Sequence, residues 1–176
     1  YSGHTFMEVR NRLMLMTFFD TGIRVSELID LKLSQVKDEY ILIHGKGDKE
    51  RVVPKSPLLN KWMFKYLSTR ENFFAYRRVP ENVFLSRNGR PMTTEAIHRV
   101  IKIAGKAVGV SRDIRVSPHT CRHTFAQMQL KNGLDLYSLS RLMGHSSISI
   151  TQRYLEGLRD FEVLNACKAT GILMNL

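Results

Sequence analysis

The chain has 176 residues, 43% of them apolar and 24% charged, an ordinary make-up for a soluble globular protein with room for one domain and a real core. Twenty-seven Lys and Arg against 16 Asp and Glu leave a net charge of +11, so the expected partner is a polyanion, with nucleic acid ahead of a membrane surface. No apolar run approaches the ~20 residues of a membrane-spanning helix, no signal-peptide pattern opens the chain, and two cysteines, Cys121 and Cys167, are too few for a disulfide framework, so a cytoplasmic, nucleoid-associated location is expected.

Residues 7–19 place apolar side chains at Val9, Leu13, Met16 and Phe19, a helical rhythm that Thr21-Gly22 breaks. Arg24 follows the break, and taken alone it reads as a solvated arginine after a turn. Residues 25–31 resume as helix with Glu27 in the first turn, where a carboxylate suits the helix dipole and can hold a nearby basic group. Tyr40-Ile41-Leu42-Ile43-His44 and Arg51-Val52-Val53-Pro54 flank a turn and predict a β-hairpin. Lys46 sits at its tip between Gly45 and Gly47, either as a soluble turn residue or as an ammonium delivered into a site from outside the core. Residues 58–67 predict a helix with Trp62 in the core, and Val83-Phe84-Leu85 before Asn88-Gly89 predicts a short strand and a tight turn. The helix that starts at Thr94 carries Ile97, Ile101, Ala104 and Val108 on an inward face. Arg99, Lys102 and Lys106 form a second face, which is either solvated or set against a phosphate backbone.

Ser117-Pro118 is a strong helix start, a capping hydroxyl followed by proline at the first helical position. His119, Arg122 and His123 then fall at i, i+3 and i+4, on one face near a helix end that favours anions. Lys131-Asn132-Gly133 ends that helix, Asp135 caps the next, and Gly144 closes it just before His145. Ser147 caps a short segment leading to Tyr154, and residues 160–169 predict one more short helix. Cys121 lies between His119 and His123, but at i+2 it points away from the face they share, so no metal site is expected.

The order His-x-x-Arg-His from His119, Leu-Met-Gly-His-Ser-Ser from Leu142, and a tyrosine nine residues after His145 resembles the tyrosine recombinase family, the phage-integrase and Xer-like site-specific recombinases. The likeness extends upstream to Thr21-Gly22-Ile23-Arg24-Val25-Ser26-Glu27-Leu28 and to Gly45-Lys46-Gly47-Asp48-Lys49-Glu50-Arg51, so its motifs span residues 21–154. Cys121 and Met143 stand where the family often has leucine, and neither change removes a functional group.

The resemblance implies an α+β fold, mainly α-helical with a small antiparallel β-sheet holding Lys46. It implies that residues 1–176 are a C-terminal catalytic domain whose N-terminal DNA-binding partner domain lies outside this chain, which begins at Tyr1 without methionine. It implies a recombinase or integrase that assembles as a tetramer on paired double-stranded DNA sites and cuts through a 3′-phosphotyrosyl intermediate with a free 5′ hydroxyl. In-line attack on a phosphodiester needs a nucleophile, cations and an acid. Tyr154 suits the nucleophile, Arg24 and Arg122 the cations, and His119 and His145 hydrogen bonding and proton handling. Lys46 suits the acid for the leaving 5′ oxygen, with Glu27 and His123 in support. No cofactor is expected, because a tyrosyl phosphodiester conserves the energy of the broken bond, and no metal, because the motifs lack the carboxylate cluster of a two-metal nuclease. Type IB topoisomerase activity would use similar chemistry without strand exchange. A non-catalytic DNA-binding module would explain the charge but not the ordered Arg, Lys, His, Arg, His and Tyr.

Overall fold

The computed structural model describes residues 3–45 and 50–154. The chain divides between Arg122 and His123 into two compact units. Among the described residues the architecture is mainly helical with one two-stranded antiparallel sheet, as the resemblance implied.

In the first unit α1 (Gly3–Thr21) lies against α3 (Pro57–Phe73). The buried stripe of α1 runs through Phe6, Val9, Arg10, Leu13, Met14, Thr17, Phe18 and Thr21, the i, i+3, i+4 spacing of a helix with one inward face. Phe6 stacks on Phe73 of α3 with ring centroids 4.5 Å apart. The expectation that Phe19 shares this stripe is corrected: it is half exposed, because the stripe turns through Phe18. Thr17 fits inside because its hydroxyl donates to the Leu13 carbonyl one turn back (2.8 Å). Trp62, expected in the core, is only half-buried, with the Arg12 guanidinium 4.2 Å and the Lys65 ammonium 4.7 Å from its ring. An indole face that attracts cations stays at the surface where they are hydrated.

A Gly22 turn leads from α1 into α2 (Val25–Asp30), followed by a 3₁₀ turn, Leu33–Gln35. The hairpin pairs β1 (Tyr40–His44) with β2 (Glu50–Pro54), Ile43 opposite Arg51 and Ile41 opposite Val53. Ile41, Ile43 and Val53 are buried, so Arg51 projects on the inward face of its strand. Val83, Phe84 and Leu85 are fully buried but form no strand ladder, contrary to the reading of the sequence. The Val83 N–H donates instead to the Leu31 carbonyl (2.7 Å), and Leu85 makes a single bridge to Pro91 around the turn at Gly89. In α4 (Thr94–Ala107) Ile97 and Ile101 are buried, but Val108, assigned to the same face, lies past the helix end and is exposed.

The second unit holds the rest of α5 (Pro118–Lys131), α6 (Leu136–Met143) and α7 (Ile148–Gln152). Phe125, Ala126, Leu139, Met143 and Tyr154 make its core, with Leu130, Leu134 and Leu142 packed around them. The punctuation read from the sequence holds here. Asp135 accepts from the Ser138 N–H, Ser147 from the Ser149 N–H, and Gly133 and Gly144 take positive φ at the two helix ends.

Candidate active site

Arg24 is the residue that begins α2, and Glu27 answers it from the third helical position. One Glu27 oxygen accepts from the Arg24 backbone N–H (2.7 Å) and the other from the Arg24 guanidinium (2.8 Å). The same carboxylate receives both terminal nitrogens of Arg51, at 2.8 and 2.7 Å, the parallel two-bond geometry that a planar guanidinium allows. Burial by itself would raise the Glu27 carboxyl, but the hydrogen bonds from Arg51 and from the Arg24 N–H, with the charge of Arg51, outweigh it and bring it down to about 2. One buried carboxylate thus holds two guanidiniums. They differ in access: the Arg24 side chain is 40% exposed and that of Arg51 is 10% exposed. Arg24 is open to solvent, and Arg51 is held within the fold.

Arg122, on the first turns of α5, is buried and donates to the carbonyl oxygen of Gly22. Gly22 adopts φ 59°, a left-handed turn that glycine takes without strain, two residues before Arg24. The break after α1 therefore serves two arginines. His119 is exposed on the opening turn of α5, where the Ser117 hydroxyl accepts from the Thr120 N–H (3.3 Å). Four groups of the first unit, Arg24, Glu27, Arg51 and Arg122, are built around one turn and one carboxylate.

In the second unit Tyr154 is a core residue, 7% exposed. Its ring meets His123 edge to face at 5.0 Å and lies nearly parallel to His145 at 6.1 Å, with an interplanar angle of 11°. His145 is set by the end of α6: Gly144 takes φ 64°, its N–H donates to Arg141, and the His145 N–H reaches back to Ser140 (3.0 Å), a Schellman ending. The His145 Nδ1 and the Thr151 hydroxyl are 2.8 Å apart. Thr151 is fully buried, so this bond fixes the imidazole plane from the protein side.

The structure thus gathers Arg24, Glu27 and Arg122 within the first unit, and His123, His145 and Tyr154 within the second. Arg99, Lys102 and Lys106 are exposed on α4. Lys46 lies outside the described residues, as does the helix expected at residues 160–169. Cys121 is buried, and that burial pushes its thiol up to about 11, away from the thiolate that metals bind. No cluster able to hold a metal ion occurs among the described residues, and none of their helices is long and apolar enough to cross a membrane. Two residues escaped the sequence reading. Arg51 had a signal, since it shares the strand face of Val53, where an arginine needs a partner. Thr151 had only its place one helical turn before Tyr154.

The phage integrase family matches residues 4–159. The chain is 39% identical over 147 residues to the tyrosine recombinase XerD of Staphylococcus aureus, covering 82% of this chain and 49% of that protein. It is also 39% identical over 148 residues to XerD of Lacticaseibacillus casei, covering 83% of this chain and 50% of that protein. It therefore spans about half the length of these relatives. The crystal structure of XerA recombinase superposes with a TM-score of 0.80 at 29% identity, over 96% of this chain and 62% of that one. A XerH site-specific recombinase bound to a palindromic difH substrate, in a post-cleavage complex, matches in fold with a TM-score of 0.77 at 24% identity, over 96% of this chain and 47% of that one. The chain is a member of the phage integrase family.

Proposed function

We propose that the chain is the catalytic part of a site-specific DNA recombinase that breaks and rejoins strands through Tyr154. The observation that carries this reading is the pairing of Arg24 and Arg122 around the Gly22 turn, one held by a buried carboxylate and the other by a backbone carbonyl. Two guanidiniums anchored from behind are what a phosphoryl group in transfer requires, because charge builds on its non-bridging oxygens and preorganised donors stabilise it without moving.

The phenol oxygen of Tyr154 attacks the phosphorus and loses its proton, with His119 and His145 as the proton-handling groups. The bond from phosphorus to the 5′ oxygen breaks, and Lys46 supplies the proton to that oxygen. The strand is left joined to Tyr154 as a 3′ phosphodiester with a free 5′ hydroxyl. The reverse reaction, with a 5′ hydroxyl as nucleophile, reseals the strand without a cofactor. The substrate is double-stranded DNA carrying a recombination site, two of which are brought together by self-association into a tetramer. The likeness to the tyrosine recombinase XerD supports the reading.

The test uses nicked duplexes in which cleavage releases a short fragment and cannot be reversed, with protein–DNA adducts resolved under denaturing conditions. The parent chain forms an adduct in the presence of EDTA, and Tyr154→Phe forms none while still binding DNA. Lys46→Ala is slow on the natural substrate and recovers most of its rate when the leaving 5′ oxygen is replaced by sulfur, which needs no proton. An adduct with Tyr154→Phe overturns the nucleophile. A Lys46→Ala defect that sulfur leaves unchanged moves the acid role to His119 or His145.

A further inference from the structure

A cleft of about 340 Å³ opens in the first unit beside the start of α5, lined by Val25, His98, Arg115, Ser117, Pro118, His119 and Thr120. His98 and Arg115 belong to none of the sequence motifs, and the chemistry proposed above uses neither. Arg115, His98 and His119 are among the residues that line it, and no aspartate or glutamate is, among the described residues. Glu95, one turn before His98 on α4, interacts with it electrostatically but is fully exposed and outside the lining. The positive end of the 14-residue helix α5 adds to the same sign.

The cleft is also built rather than accidental. The Thr120 hydroxyl donates to the Arg115 carbonyl, which ties the backbone under that guanidinium to the first turn of α5. Ser117 caps that turn through the Thr120 N–H, and its hydroxyl lies 3.0 Å from the Thr120 hydroxyl. His98 is half-buried on α4, so its ring has a wall behind it. Val25 and Pro118 supply apolar surface, which suits the sugar of a nucleotide and not a free inorganic ion. The cleft touches the candidate site at two places, through His119 itself and through Val25, the neighbour of Arg24.

We propose that this cleft is a second phosphate subsite, in which His98 and Arg115 hold a phosphodiester adjacent to the one held by Arg24 and Arg122. The proposal rests on the reading of the chain as a DNA-cleaving enzyme for the identity of its ligand. Its contribution is to fix the register of the strand, so that one phosphate and not its neighbour lies against Arg24 and Arg122.

The test is a binding measurement, which does not depend on cleavage. Affinity for a nicked duplex is measured by fluorescence anisotropy across a range of salt for the parent, Arg115→Ala, His98→Gln, the double variant, and Lys61→Ala on the exposed side of α3 as a control. Arg115→Ala is expected to weaken binding about fivefold and to lower the salt slope by about 0.9, the loss of one phosphate contact. His98→Gln weakens binding less. The double variant loses less than the product of the two, because both side chains hold one phosphate. Lys61→Ala leaves affinity and slope where they were. Thermal melts accompany each variant, so that a folding defect is seen as such. An unchanged slope in Arg115→Ala, or losses that multiply in the double variant, overturns the subsite. Adducts are scored on the same samples: absence of adduct with the parent overturns the cleavage reading alone, while the binding pattern still decides the cleft.

Discussion

Arg24 and Tyr154 are held by different physics. Arg24 is placed by charge, through a buried carboxylate shared with Arg51. Tyr154 is placed by packing, its ring among Phe125, Leu139 and Met143 with two imidazoles beside it. The difference follows from what each group has to do. A guanidinium that stabilises developing charge must be strong and immobile. A phenol proposed to attack phosphorus has to be aimed, and packing holds its ring.

The largest effect is expected from the charge side. Arg122→Ala removes one of the two cations proposed to hold the phosphate and leaves the Gly22 carbonyl without that donor, so adduct formation is expected to fall by about 10²–10³-fold, by analogy with the loss of an oxyanion donor. Arg24→Ala has a comparable effect on rate with less effect on thermal stability, since Arg24 is 40% exposed whereas Arg122 is buried. Adduct rates within tenfold of the parent for either variant show that the residue does not touch the phosphate.

Much of this contrast could be read in the sequence, and the part that could not has a physical reason. Caps and breaks are local: Asp135, Gly144, Ser147 and Gly22 act on backbone within a few residues, so their positions were legible. The hairpin was legible because β-branched runs flank a glycine turn. Arg51 was not, because its partner is 24 residues away and only the strand register turns it toward Glu27. Val83 to Leu85 misled because buried apolar runs suit a strand, while the backbone partner available was the isolated Leu31 carbonyl. Trp62 misled because size suggests burial, whereas two flanking cations keep it at the surface.

A middle-sized effect separates positioning from contact. Glu27→Gln keeps the shape of the side chain but loses the charge that both guanidiniums share, so adduct formation slows about tenfold while DNA affinity changes little. The pH dependence carries the sign. The folded-state carboxyl is held down to about 2 against 4.5 for the unperturbed group of an unfolded chain, so the stability it contributes is complete above that higher value and is lost as pH falls toward the lower one. Urea midpoints taken at about pH 5 and about pH 3 drop more for the parent than for Glu27→Gln. Equal drops in the two proteins show that Glu27 is not held as its ion.

The smallest effect lies on the packing side. Thr151→Val removes the hydroxyl at the His145 Nδ1 and retains the β-branched shape, so adduct formation slows about threefold with little change in melting temperature. Thr151→Ser keeps the hydroxyl and restores the rate. If Thr151→Val and Thr151→Ser are equally slow, the hydroxyl is not what orients His145.

The two arginine anchors also differ in how they are inherited. Glu27 is one nucleotide change away from glutamine or lysine, so the grip on Arg24 and Arg51 is open to loss in a single mutational step. The oxygen that receives Arg122 belongs to the main chain at Gly22, and every amino acid encoded there brings the same oxygen. What selection must guard at that position is the left-handed turn, φ 59°, at a buried site. One of the two arginines is therefore secured by a side chain that drift can erase, and the other by an atom that no codon change removes.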